Sequence, residues 1–191
     1  MTTQKILYRY GTQLLFADHA TDFGAAPATA AHSLIVSTPT DVQMNLSVLA
    51  NGAMWQSAKT ATLVDTGSDW PGDWVLGACM EGAATPTAGG TYDFYWNGSP
   101  SATAGTGNSG GCSGTDATYT ADALAQLIFI GSLVCRANVI NIDANVGRLA
   151  MPHLYGSLVI DNNSGVGMVD TTADNIHFTL TPIIPIAEGA V

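Results

Sequence analysis

Two overlapping spellings in this chain, Gly105-Thr-Gly107-Asn-Ser-Gly110 and Gly107-Asn-Ser109-Gly-Gly111, are ones that chemistry elsewhere uses. The first matches the dinucleotide-binding turn G-x-G-x-x-G, whose glycines permit a tight turn and close backbone approach to a pyrophosphate. The second matches G-x-S-x-G, the strand-to-helix elbow that exposes a nucleophilic serine. Each needs an apolar strand before it and a helix after it. Here the flanks are Ser-Pro-Ser-Ala-Thr-Ala and Gly-Cys-Ser-Gly-Thr-Asp, so both spellings read as loop, and Ser109 has no base held beside it.

Metal chemistry finds no better footing. His19, His32, His153 and His177 show no H-x-x-x-H or H-x-H spacing that would aim two imidazoles at one ion, and His177 alternates outward from a strand as a surface residue. Asp161-Asn-Asn163-Ser-Gly165 places oxygen donors at alternate positions before a glycine, but no bidentate Glu follows, and an Asx-type turn accounts for it. Cys79, Cys112 and Cys135 are an odd, widely spaced set without Cys-x-x-Cys. Cys79 and Cys135 read as reduced core residues and Cys112 as an exposed loop thiol. A pair of carboxylates for glycoside hydrolysis needs only spatial proximity, which sequence alone does not display. Of the tryptophans, Trp70 and Trp74 flank Pro71-Gly72-Asp73, Trp55 follows a turn and Trp96 ends an aromatic strand. They suit sugar stacking, or packing in a core or subunit interface.

Charge narrows the function classes. Fifteen Asp and Glu against five Lys and Arg give −10, and between Lys59 and Arg136 there is no basic residue at all. Phosphate neutralisation needs clustered cations, so nucleic acid and anionic membrane surfaces are unsuitable partners. Lys5 and Arg9 make the first ten residues a local positive island, fit to dock on an acidic partner or simply a solvated first strand. No stretch approaches 18 apolar residues, and Met1-Thr2-Thr3-Gln4-Lys5 lacks the apolar run of a signal peptide, so synthesis in a cytoplasm is expected.

The elements that must position these residues are strands. Val42, Met44, Leu46 and Val48 alternate with Gln43, Asn45 and Ser47; Tyr92, Phe94 and Trp96 alternate with Asp93 and Tyr95; Ile176, Phe178 and Leu180 alternate with His177 and Thr179 until Pro182 should end the ladder. Leu127 to Cys135, Ser33 to Ser37 and Trp74 to Met80 are apolar on both faces, as central or interface strands are. Further strands are expected at Ile6 to Tyr10, Gln13 to Phe16, Ala61 to Asp65, Asn138 to Asp143 and Leu154 to Asp161. Only Thr120 to Gln126 reads as helix, two turns at most. With 191 residues and no sharp change of composition, the chain is one domain, 1–191. The fold class is all-β, an antiparallel β-sandwich, a jelly roll being one arrangement of it, with long Gly/Ser/Ala loops. The longest loop follows the aromatic strand, and a neighbour must order it or a partner must use it.

The run Tyr92-Asp-Phe-Tyr-Trp96, then Ser99-Pro-Ser-Ala-Thr-Ala104, Gly107-Asn-Ser-Gly-Gly111, Ser113-Gly114 and Asp116-Ala117, resembles a family of small virion structural proteins of tailed bacteriophages. Gln126-Leu-Ile-Phe-Ile-Gly-Ser-Leu-Val134, Tyr155-Gly-Ser-Leu-Val159 and His177-Phe-Thr-Leu-Thr-Pro-Ile183 extend the likeness over the C-terminal half. The family is similar in setting to capsid decoration (cement) proteins and head-associated fibres. The resemblance implies a non-enzymatic sandwich on the capsid exterior, partnered by the major capsid protein and by itself, with a homotrimer preferred and no catalytic residue, cofactor or metal. The contact candidates are Lys5 and Arg9 in segment 1–16, Ile183, Ile184 and Ile186 in tail 182–191, and Trp70, Trp74 and Trp96. The tail has a second expected role, completing an edge strand. A receptor- or glycan-binding head fibre or tail component, stacking sugars on Trp70, Trp74 and Trp96, is the alternative, and a virion glycosidase or peptidase comes third.

Overall fold

The structure, a computed structural model, describes residues 6–19, 34–35, 38–46, 49–61, 63, 71, 73–137, 141–151, 153–168 and 176–187. Its strands are β1 Ile6–Tyr10, β2 Leu14–Ala17, β3 Thr40–Gln43, β4 Met54–Gln56, β5 Asp73–Glu81, β6 Thr91–Ser99, β7 Ala117–Tyr119, β8 Ile128–Val134, β9 Asn141–Leu149, β10 Tyr155–Asn163 and β11 His177–Ala187. One sheet runs β3-β2-β11-β5-β9 with β1 also on β11, and the other runs β7-β4-β10-β6-β8. All pairs are antiparallel except β2–β3, which is parallel. The fold is an all-β sandwich.

Period-2 alternation puts Phe16, Leu76, Phe178 and Leu180 of the first sheet against Phe94, Trp96, Leu158 and Ile160 of the second, all buried. Phe94 and Phe178 meet edge to face across the gap, ring centroids 5.2 Å apart. On one side the two sheets close together where β8 meets β9: a Cβ on Gly131 would lie 2.7 Å from the Val146 carbonyl, and one on Gly147 would strike the Ile130 carbonyl. Two glycines facing each other's strand make that approach possible.

Several expectations are corrected. Pro182 does not end the last strand; β11 continues to Ala187 through Pro182 and Pro185. The Pro182 carbonyl accepts from Gly11 N–H, so its ring nitrogen points at the irregular stretch between β1 and β2, where no ladder bond is lost. Alternation turns the Pro185 nitrogen to the other side, beyond the last β5 pairing at Ile183–Asp73. The strand expected over 127–135 is not central: β8 is the edge of its sheet, and Ile128, Phe129 and Val134 are exposed. Over 42–46 the expected alternation holds as burial of Val42, Met44 and Leu46, but β3 stops at Gln43, and the next-but-one N–H, on Asn45, goes to the Asp116 carboxylate instead of a strand; residues 47–48 lie outside the described residues. Leu34 and Ile35 are not in a strand, nor are Ala61 and Leu63, and the rest of those two segments lies outside the described residues. Of the strand expected at 138–143, residues 141–143 belong to β9, which continues to Leu149, and 138–140 lie outside the described residues. The helix is a 3-10 turn, Ala121–Gln126, with no side-chain cap from Thr120. His177 is fully buried, because β11 is interior to its sheet and Leu34 and Ile35 overlie the outward face nearby, where Leu15, Ala17 and Thr179 are also buried.

Candidate functional site

The first and last described strands form one element. β1 pairs with Ile183–Ala187 of β11, and β2 continues the same line to Phe178, so β1 and β2 are nearly one strand broken at Gly11–Gln13. Past Ile183 the pairing of β11 with β5 has ended, and among the described residues β1 and the end of β11 continue as a two-stranded ribbon. Leu7, Tyr8, Arg9 and Tyr10 are all exposed, Tyr8 and Tyr10 by about 70%. A strand with exposed apolar and aromatic side chains on both faces is unusual for a finished surface, since two-stranded ribbons alone are marginal.

Register places the chemistry. Tyr8 lies opposite Pro185, Tyr10 opposite Ile183, Ile183 opposite Asp73, and Val75 opposite Arg148, so these residues share the outer face of the first sheet. Tyr8, Arg9, Tyr10, Arg148 and Ile183 line a cleft there of about 460 Å³. Arg148 Nη2 is ion-paired with Asp73. Two of the five basic residues of an acidic chain thus line one aromatic cleft.

Of the contact candidates read from sequence, Arg9 and Ile183 come together here. Ile184 faces the interior and is buried, Ile186 is half-buried on the same side, and the tail completes a strand with β1. Lys5 and Trp70 lie outside the described residues. Trp74 and Trp96 are core side chains, 2% and 0% exposed, and offer no ring to a sugar. Sequence reasoning passed over Tyr8, Tyr10 and Arg148. The first two flank Arg9 at period 2, a signal that placed them on one face; nothing local linked them to Arg148, whose proximity depends on β11 and β5.

The outer face of the second sheet carries a contrasting patch. Asp93 of β6 stands directly opposite Asp161 of β10 and Ser132 of β8, while Tyr95 stands opposite Phe129 with ring centroids 5.4 Å apart. Ser132 Oγ and Thr91 Oγ1 donate to Asp93, and Asn163 Nδ2 donates to Asp161 Oδ2 at 2.8 Å. Burial raises the pKa of Asp161, the Asn163 bond opposes that, and the neighbouring Asp93 charge adds to it. Burial likewise raises the pKa of Tyr95, and both aspartates add to that. Here the fold does bring two carboxyl groups side by side. They sit on a sheet face already engaged by neighbouring hydroxyl and amide groups, and neither lines the arginine cleft.

The remainder of that outer face is roofed by the long small-residue loop, which is pinned rather than loose. Lys59 Nζ donates to Ser99 Oγ at 3.0 Å and to the carbonyls of Ser101, Thr103 and Thr106 at 3.0, 2.8 and 2.9 Å. Four acceptors around three ammonium protons fold residues 99–106 about one cation. Burial pulls the Lys59 pKa below its ordinary value. Gly105, Gly107, Gly110, Gly111 and Gly114 all have positive φ, so the glycines that mimic a nucleotide-binding spelling serve this winding. Asp116 anchors the far end, its Oδ1 accepting from Trp55 Nε1 at 2.6 Å and from Asn45 N–H at 3.0 Å. Beneath the loop, Cys112, Tyr119, Leu127 and Val159 form a second small core, and Tyr119 donates to the Gly110 carbonyl at 2.5 Å. Cys112 is therefore buried, not exposed, with its thiol pushed up to about 12 by burial.

Among the described residues, no group of three or more His, Cys, Asp or Glu is placed to hold a metal ion, and no helix is long and apolar enough to cross a membrane. Comparison with protein families, curated proteins and solved structures finds no match. What fold and surface define is a β-sandwich with an aromatic cleft lined by Arg9 and Arg148 on one sheet and the Asp93–Asp161 pair beside exposed Phe129 on the other.

Proposed function

We propose that this chain is a non-enzymatic structural protein of a tailed-phage particle, a capsid decoration (cement) protein that binds the outside of the assembled head. The observation that carries the reading is the ribbon formed by the first and last described strands: β1 pairs with the end of β11 and presents exposed Leu7, Tyr8, Arg9 and Tyr10, while Ile184 beneath it is buried. Such an element suits docking on an acidic, partly apolar protein surface. The two sheets behind it share one packed core, which suits a protein that clamps a pressurised shell, and the longest loop is tied to the body by Lys59 and Asp116.

The test is the copy number of this protein in purified virions, by quantitative mass spectrometry against the major capsid protein. One copy per capsid subunit, or one trimer per local three-fold, is expected. A handful of copies moves the assignment to a fibre or tail component, and complete absence ends the virion reading. Deleting residues 1–10 strips β1 from β11, so the expected loss of capsid binding is checked with Arg9→Ser and Tyr10→Ser, which keep the strand pairing.

A further inference from the structure

Large hydrophobic side chains are exposed in two places, and the two differ in sign. Leu7, Tyr8 and Tyr10 lie on β1; Ile128, Phe129 and Val134 lie on β8; among the described residues only Leu154 stands apart. β1 belongs to the first sheet and β8 to the second, so the two patches sit on different sides of the sandwich. The β1 patch is bordered by Arg9 and Arg148. The β8 patch is bordered by Asp93, directly opposite Ser132, with Asp161 next to it.

We infer that copies of this chain join head to tail, the Tyr8–Tyr10–Arg148 cleft of one copy seating the Phe129–Val134–Asp93 patch of the next. Charge chooses this pairing over the symmetric ones. Two β8 patches brought face to face would set carboxylate against carboxylate, and two β1 patches would bring together Arg148–Asp73 pairs that already satisfy each other, whereas unlike patches offer Asp93 the unused edge of Arg148. The Arg148 side chain is 59% exposed and spends one edge on Asp73, leaving further N–H donors for an incoming carboxylate. Phe129 is 54% exposed with Tyr95 near its ring, the posture of an aromatic anchor, and the cleft of about 460 Å³ lined by Tyr8, Tyr10 and Arg148 is large enough to take such a ring. A heterologous contact of this kind closes into a ring when its rotation divides the circle, which is how a cyclic oligomer on a shell is built.

The inference concerns self-association alone and is measured without capsids. Native mass spectrometry and light scattering on the full chain are run up to about 100 µM, a concentration at which a contact of the micromolar class associates. Wild type is expected as an oligomer, and Tyr8→Glu and Phe129→Glu each as a monomer. The decisive sample is their equimolar mixture. Tyr8→Glu keeps an intact β8 patch and Phe129→Glu an intact cleft, so the mixture is expected to give one-to-one heterodimers that grow no further. A monomeric wild type, a variant that keeps the wild-type mass, or a mixture that stays monomeric overturns the inference. Near-UV circular dichroism checks the fold of each variant, and Val134→Glu replaces Phe129→Glu if the latter unfolds. A wild-type oligomer that ignores capsids would sink the capsid reading and leave this one standing; a decorating monomer would do the reverse.

Discussion

Replacing Lys59 with methionine removes an ammonium while keeping most of its aliphatic stem, and it strikes the charged group about which residues 99–106 gather, leaving the Ser99 hydroxyl bonds to the Ser101 and Thr106 carbonyls in place. Hydrogen bonds to a charged group contribute roughly 1.5–3 kcal/mol each. Two of the four acceptors, Ser99 Oγ and the Ser101 carbonyl, are part-buried, whereas the Thr103 and Thr106 bonds are exposed and water replaces them. Counting the two part-buried bonds at the low end of the range gives about 3 kcal/mol for holding the loop down. At 1.36 kcal/mol per decade, that is roughly a hundredfold rise in the population of the opened loop. Cys112 reports it, being buried under the loop with a thiol pushed up to about 12, so alkylation requires opening. When closing outpaces labelling, the rate follows the open population. Lys59→Met is therefore expected to speed native-state alkylation of Cys112 about a hundredfold, mapped by mass spectrometry, while Cys79 and Cys135, buried beside the main core, stay slow. A change in the Cys112 rate below about threefold would refute the cage. Equal acceleration of all three thiols would show that loop and sandwich open as one unit and that the local argument is wrong.

Two further outcomes follow from packing and charge. Gly156 lies against Trp96: an added Cβ would strike the indole and come within 2.6 Å of the Asn97 carbonyl, and Trp96 is fully enclosed. Gly156→Ala is expected to lower stability by about 3 kcal/mol, the upper end of overpacking, and an unchanged urea midpoint would contradict the packing described. Asp161 has a folded-state pKa raised above its ordinary 3.8, chiefly by burial, so the folded protein holds that proton more tightly than the unfolded chain. Its contribution is favourable below the ordinary value and is lost as pH rises through the raised one. Asp161→Asn should thus be more stable than wild type at neutral pH, and the difference in Tm should shrink as pH falls towards 4; a variant less stable at pH 7 would count against it.

Of the three strands that alternation marked most clearly, those around Tyr92–Trp96 and Phe178–Leu180 are where the sequence places them, because every second residue there is large and apolar and only one face can be wet, whereas the one begun at Val42 ends at Gln43. β4 and β7 have three residues each, too few for any period to show, and they exist because β10 and β4 respectively present edges to pair with. Composition likewise predicted a loop after β6 but not its state. A run of Gly, Ser, Thr and Ala looks loose in sequence, and what stiffens it is a lysine some forty residues earlier.

For the surface, sequence determined which residues were scarce and therefore informative: five cations, two of them near the start, and two tyrosines flanking one of those. Those facts follow from side-chain chemistry and period, which are local. That Arg9 stands beside Arg148 and Ile183, that Asp93 faces Asp161, and that Trp96 is enclosed while Phe129 is exposed were decided by which strands became neighbours. Strand order is a matter of long-range pairing between segments whose local patterns are nearly interchangeable, so a single chain's alternation specifies faces without specifying neighbours.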